Sequence, residues 1–129
     1  MANRLKPILP LIISKEQSGY VEGRKIMDNV LLAQEIIHTL QSQKKVDMII
    51  QLDLSKAYDK VCWSYLEVVL VAFSFSPSWI TWILAMVKSP SYSILVNGAP
   101  SEPFLPSRGI RQGDPISPFL FVILMEGLS

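Results

Sequence analysis

Two stretches of the chain carry residues whose types and spacing suit chemistry. The first is Met48-Ile49-Ile50-Gln51-Leu52-Asp53-Leu54-Ser55-Lys56-Ala57-Tyr58-Asp59-Lys60, an apolar run that ends on a carboxylate and then turns abruptly polar. The second is Ser107-Arg108-Gly109-Ile110-Arg111-Gln112-Gly113-Asp114-Pro115-Ile116-Ser117-Pro118. Its glycines let a backbone approach a ligand closely, and Arg108 and Arg111 are suited to phosphate oxygens. Each stretch has a plainer alternative. Taken alone, Asp53 reads as a carboxylate solvated at a strand end and each arginine as a solvated cation, while the second stretch is equally a Gly/Pro turn before a helix.

The elements that would position these residues follow from periodicity and punctuation. Met48, Ile50 and Leu52 alternate with Ile49 and Gln51, so both faces are largely apolar, which predicts a covered central strand delivering Asp53 to its end. Upstream, Asp28 is a candidate N-cap for a helix over Asn29 to Gln41, with Val30, Ala33, Ile37 and Leu40 forming a packing face. Gln43-Lys44-Lys45 reads as a polar connection from that helix into the strand. Ser64-Tyr65-Leu66-Glu67 fits a capping box opening a helix from Tyr65 to Phe73. Ser74 follows, beyond the predicted end of that helix.

Ser76-Pro77 is a second start signal, and Ile80, Ile83, Leu84 and Val87 mark the buried face of a helix ending near Lys88-Ser89-Pro90. Trp79 and Trp82 are assigned to packing. Tyr92 to Val96 reads as a strand, and Asn97-Gly98 as a two-residue hairpin turn. Pro100, Pro103 and Pro106 confine the return strand to an edge. Ser117 should cap a helix over about Pro118 to Gly127 that is apolar nearly all round and therefore buried. At the N-terminus, Pro7 and Pro10 break a short amphipathic turn, and Ser14 to Arg24, with Gly19 and Gly23, reads as a loop.

Bulk properties narrow the field. The chain has 129 residues, half of them hydrophobic, which predicts one globular domain or less. Twelve basic against eleven acidic residues leave a formal charge of +1, so any nucleic-acid binding must come from a local patch. The single Cys62 excludes an internal disulfide framework, suits a reducing compartment, and is expected to be a small buried apolar side chain. The single His38 has no companion at metal-ligand spacing. Neither Ile8 to Ile13 nor Ile116 to Met125 is long enough to span a membrane, and no secretory signal is evident. An intracellular location is expected, with nucleus and cytoplasm undecided.

The spacing Leu52-Asp53-x-x-Lys56-Ala57-Tyr58-Asp59 resembles the first catalytic motif of reverse transcriptases of the non-LTR (LINE-type) retrotransposons. The second stretch is similar, almost residue for residue, to that family's Arg-Gly-x-x-Gln-Gly-x-x-x-Ser-Pro block. Gln17-Ser18-Gly19-Tyr20-x-x-Gly23-Arg24-x-x-x-Asp28-Asn29 resembles the segment preceding the first motif. The resemblance covers essentially the whole chain. It implies that Asp53 is the catalytic, metal-binding carboxylate and that Leu54, Tyr58, Gln112 and Gly113 bind the nucleotide, Tyr58 beneath its sugar. Arg24, Arg108 and Arg111 would contact the template or its backbone.

The resemblance further implies an α+β fold: a partial polymerase palm of ferredoxin-like, RRM-like topology, with a fingers/palm remnant over 1–45 and partial palm over 46–129. The partners of the intact family would be an RNA template, a DNA primer and deoxynucleoside triphosphates. Its cofactor would be Mg²⁺ or Mn²⁺. Two-metal nucleotidyl transfer needs more than one carboxylate. The family takes two further acids from an aromatic-x-Asp-Asp hairpin, and no two acidic residues are adjacent here. The fragment is therefore expected to be inactive alone, to hold no metal tightly, and to be poorly soluble. The alternative is a non-catalytic nucleic-acid-binding or structural α/β remnant.

Overall fold

The computed structural model describes residues 1–43 and 48–128. The chain divides into two compact units, Met1–Ser55 and Lys56–Ser129. None of the described helices is long and apolar enough to cross a membrane.

In the first unit, α1 (Ala2–Leu5) and α2 (Leu9–Ile12) are single turns that bury Leu5 and Leu9. Ile13 and Val21 are buried as well. The loop after α2 closes on Arg24, whose guanidinium donates to the carbonyls of Ser14, Gln17 (2.7 Å), Ile13 (2.9 Å) and Pro10 (3.4 Å). Those carbonyls include the end of α2, where a cation is favoured. Asn29 braces the same loop, its amide donating to the Glu16 carbonyl at 2.6 Å and the Ser18 hydroxyl at 3.1 Å.

α3 (Ile26–Ser42) starts three residues earlier than the Asp28 cap predicts. Extended Lys25 is the N-cap, and Asp28 lies in the first turn, where its charge favours the positive helix end. The packing expectation is also corrected, because α3 buries no residue. The physical reason is scale: a 17-residue helix is about 25 Å long, and two single-turn helices and a loop offer no surface to match it. The predicted polar connection falls, from Lys44 on, outside the described residues.

The predicted strand at Met48 to Asp53 is not formed. The segment has no regular structure, and its apolar side chains are exposed, Leu52 at 87% and Ile50 at 69%. A strand satisfies its amides and carbonyls only by pairing, and the only sheet among the described residues is a two-residue hairpin elsewhere.

The second unit is helical around one core. α4 (Trp63–Ala72) packs on both α5 (Pro77–Lys88) and α6 (Ser117–Glu126). Leu66, Val69 and Leu70 meet Ile80, Ile83, Leu84 and Val87 from α5 and Phe119, Leu120, Val122 and Ile123 from α6 in the buried set. α6 is apolar round most of its circumference and is accordingly buried, with Ser117 at its first turn also enclosed. Gly127 lets its end lie on α4, since a Cβ there would stand 2.8 Å from Val69 Cγ2.

Several local expectations hold in detail. Ser76 and Pro77 open α5, and all four predicted face residues are buried. α4 ends in a Schellman motif, with the Phe75 amide donating to the Leu70 carbonyl at 3.1 Å, the Ser74 amide to Val71 at 2.9 Å, and Ser74 at φ 59°. Asn97 (φ 51°) and Gly98 (φ 83°) form the turn between β1 (Leu95–Val96) and β2 (Ala99–Pro100), with Val96 opposite Ala99. An isolated antiparallel bridge between Tyr92 and Phe104 closes the base of this hairpin.

Others shift. α4 begins at Trp63 with Cys62 as N-cap and no side-chain cap bond, so the capping box at Ser64 does not form. Cys62 is exposed rather than buried. Trp79 stacks on Phe75 at 5.1 Å, but Trp82 faces outward, 55% exposed. The N-cap of α6 is Ile116 rather than Ser117. Mixed helix and a small sheet is the observed architecture, compatible with an α+β assignment at that coarse level.

Candidate functional site

Within the second unit the tail of the first motif and the head of the second are bonded together. The Gly109 amide donates to the Val61 carbonyl at 2.7 Å, and the Ile110 amide donates to the Tyr58 carbonyl at 3.0 Å. The Trp63 indole Nε1–H donates to the Gly109 carbonyl at 2.7 Å. Ile110 is buried, so this joint is anchored in the core.

Glycine is required at 109 for two reasons. Its φ is +96°, a region that side chains rarely adopt. A Cβ there would also stand 3.2 Å from the Asp59 carbonyl oxygen and 3.4 Å from Asp59 Cα, both backbone atoms with little room to yield. The close approach that glycine permits is thus made to the chain's own backbone.

The far end of the loop is held differently. The Asp114 side-chain Oδ1 accepts the Ile116 amide at 3.1 Å, and its carbonyl accepts the Ser117 amide at 3.1 Å, passing the chain into α6. Fixed at Gly109 and at Asp114, the intervening Arg111, Gln112 and Gly113 are exposed. With Asp114 and Pro115 they line an open depression of about 330 Å³. Gly113 has φ +86° and nothing near its missing Cβ, so its surroundings are open to a ligand.

Tyr58 joins the same assembly. Its ring stacks on Phe121 of α6 at 5.1 Å and 15°, which leaves it half-buried. A second cleft, of about 270 Å³, lies beside the joint between the end of α5, the hairpin base and the loop, and includes Asp59, Arg108 and Arg111. Cys62 sits at the edge of this region. Its thiol is held below the ordinary cysteine value, first by the hydrogen bond with the Ser64 hydroxyl at 3.1 Å, then by the backbone amides of Tyr65 and Ser64, with the Arg108 charge assisting.

The structure therefore brings together Tyr58, Arg108, Arg111, Gln112 and Gly113. Asp53 and Leu54, both exposed, and Arg24, engaged with four carbonyls, belong to the first unit. Among the described residues no three His, Cys, Asp or Glu side chains are grouped so as to hold a metal ion. Asp53 by itself does not fit a two-metal centre, which needs several oxygen ligands.

Sequence reasoning missed Trp63 and the structural use of Gly109. The signal for Trp63 is its indole N–H, which needs a partner once the ring is half-buried at a helix start. For Gly109 no local signal separates a glycine that admits a ligand from one that admits backbone.

Comparison with known proteins adds the context. The family model described as Reverse transcriptase (RNA-dependent DNA polymerase) matches residues 1–129. The chain is 34% identical over 123 residues, 95% of its length, to the Transposon TX1 uncharacterized 149 kDa protein of Xenopus laevis, of which it spans 9%. It is 28% identical over 112 residues, 87% of its length, to the Retrovirus-related Pol polyprotein from type-2 retrotransposable element R2DM of Drosophila melanogaster, of which it spans 11%. It is 29% identical over 129 residues, 99% of its length, to the corresponding polyprotein of the type-1 element R2 of Popillia japonica, of which it spans 18%.

Proposed function

Because the chain belongs to the reverse transcriptase (RNA-dependent DNA polymerase) family and matches non-LTR retrotransposon polyproteins, we propose that it is the nucleotide- and template-handling segment of an RNA-directed DNA polymerase. In this reading Gln112 and Gly113 hold the incoming deoxynucleoside triphosphate, and Tyr58 lies beneath its sugar. Leu54 is a nucleotide-binding position by the family resemblance. Arg108 and Arg111 meet the template backbone, while Arg24 acts through the loop it ties together. Residues 1–45 are a fingers/palm remnant and 46–129 part of a palm of ferredoxin-like topology.

One observation carries the reading. The joint at Gly109 fixes the exposed Arg111-Gln112-Gly113 turn to the backbone of Tyr58 and Val61, so two stretches about fifty residues apart form one rigid platform. A platform of this kind supplies position, and position is most of what phosphoryl-transfer proteins contribute besides charge.

Asp53 would be one ligand of the Mg²⁺ or Mn²⁺ ions that the intact family uses. Those ions stabilise the attacking and leaving oxygens. The residues present do not complete that site, and the chain alone should not extend a primer.

Titration of the chain with a deoxynucleoside triphosphate, followed by NMR, tests the platform. Shifts should concentrate at Tyr58 and at Arg111 to Asp114, and Gln112→Ala should weaken binding about tenfold, the loss of one hydrogen bond to a charged ligand. Equal binding by wild type and Gln112→Ala, or shifts confined to other surfaces, would refute the assignment.

A further inference from the structure

The cleft of about 270 Å³ beside the joint is not needed for the nucleotide contacts proposed above. One wall is aromatic: Tyr92 and Phe104 face each other across the hairpin base with ring centroids 6.1 Å apart and a 32° tilt, and both rings remain substantially exposed. Their backbones exchange two hydrogen bonds, at 2.9 and 2.8 Å, so the wall is held in place. The rim carries Asp59, Arg108 and Arg111, all exposed. Among the described residues no hydrogen bond or ion pair takes up these three side chains.

An apolar ring surface beside two uncommitted guanidinium groups matches a ligand with a flat apolar face and an anionic group one sugar away. We infer that this cleft holds one unpaired nucleotide of a single strand, its base against Tyr92 and Phe104 and its phosphate on Arg108 and Arg111. Aromatic faces and arginines are the general means of holding single strands. Asp59, whose backbone lies against Gly109 between the two arginines, accepts N–H bonds, which a base edge supplies and a phosphate does not. Guanine, which presents two adjacent N–H donors on its Watson–Crick edge, suits that carboxylate best. The cleft is thereby a holding site for a base outside the duplex, beside the turn that carries Gln112. The inference rests on the reading that Arg108 and Arg111 face the template.

Fluorescence anisotropy with 5′-labelled nine-residue strands tests it on the full chain. The strands are four uridines, one guanosine and four uridines; nine uridines; and the first strand with its central base removed, each made as RNA and as DNA. The guanosine strand should bind about tenfold tighter than the abasic one, the stacking of one base. Phe104→Leu and Asp59→Asn should each reduce that ratio towards one. Arg108→Gln with Arg111→Gln should weaken all three strands alike and lower the slope of log affinity against log salt by about 1.4. Comparing the RNA and DNA sets identifies which strand is the better occupant.

Equal binding of guanosine and abasic strands overturns the inference, as does a ratio unchanged in both Phe104→Leu and Asp59→Asn. If strands bind without regard to the base and the arginine variant weakens them, the template reading stands and the cleft falls. If no strand binds at all, both fall.

Discussion

The two motif-bearing stretches contrast sharply. Met48 to Ser55 carries the carboxylate and has no regular structure, with its apolar side chains in solvent. Ser107 to Ser117 has no regular structure either until α6 begins, yet it is bonded at both ends and anchored by buried Ile110 and Ile116. The difference lies in where the partners come from. The loop finds its acceptors at Tyr58 and Val61, inside its own unit. An apolar strand finds them only in neighbouring strands, and a single unpaired one is not stable in water.

The largest expected effect comes from disrupting the held stretch. Gly109→Ala forces a side chain into positive φ and against the Asp59 backbone. It should destabilise the second unit by about 2–3 kcal/mol, read as a fall in urea midpoint at unchanged slope. Trp63→Phe leaves the Gly109 carbonyl without its indole donor, at a cost of about 1–1.5 kcal/mol.

A pH-dependent readout probes the same joint at smaller scale. Because the Cys62 thiol is lowered by Ser64, local amides and Arg108, its reaction with iodoacetamide should reach its plateau below the pH needed by a free cysteine. Ser64→Ala should shift the alkylation profile upward, and Arg108→Gln should shift it upward by less. Identical profiles in all three would show that this edge of the joint is not formed. The smallest effect belongs to the open stretch. Leu52→Asn should change stability by under about 0.5 kcal/mol, since Leu52 is already in solvent. A loss of several times that would mean the run is covered.

Legibility in the sequence follows the same division. α5 is readable from Ser76-Pro77 through the Ile80, Ile83, Leu84 and Val87 face, because caps and a 3.6-residue stripe are local. The hairpin turn at Asn97-Gly98 is readable for the same reason, whereas the positive φ at Ser74 is not, since a serine carries no local signal for it. The state of Met48 to Asp53 and the packing of α3 are not, since both depend on surfaces outside the segment itself. The shift of the α4 start from the Ser64 box to Cys62 has no local signal; it accompanies the bond from the Trp63 indole to the distant Gly109 carbonyl. Arg24 reads from sequence as a solvated or template-facing cation, and only the fold reveals the carbonyls gathered around it.

Whether the joint between the two motifs exists in solution is best decided by amide hydrogen exchange resolved by residue. Gly109 and Ile110 should exchange slowly, with protection approaching that of Leu120 and Ile123 in α6, while Met48 to Leu54 exchange at the rate of an unfolded chain. Exchange at Gly109 and Ile110 as fast as at Met48 to Leu54 would mean that nothing holds the Gln112 turn in place, and the platform would be lost with it.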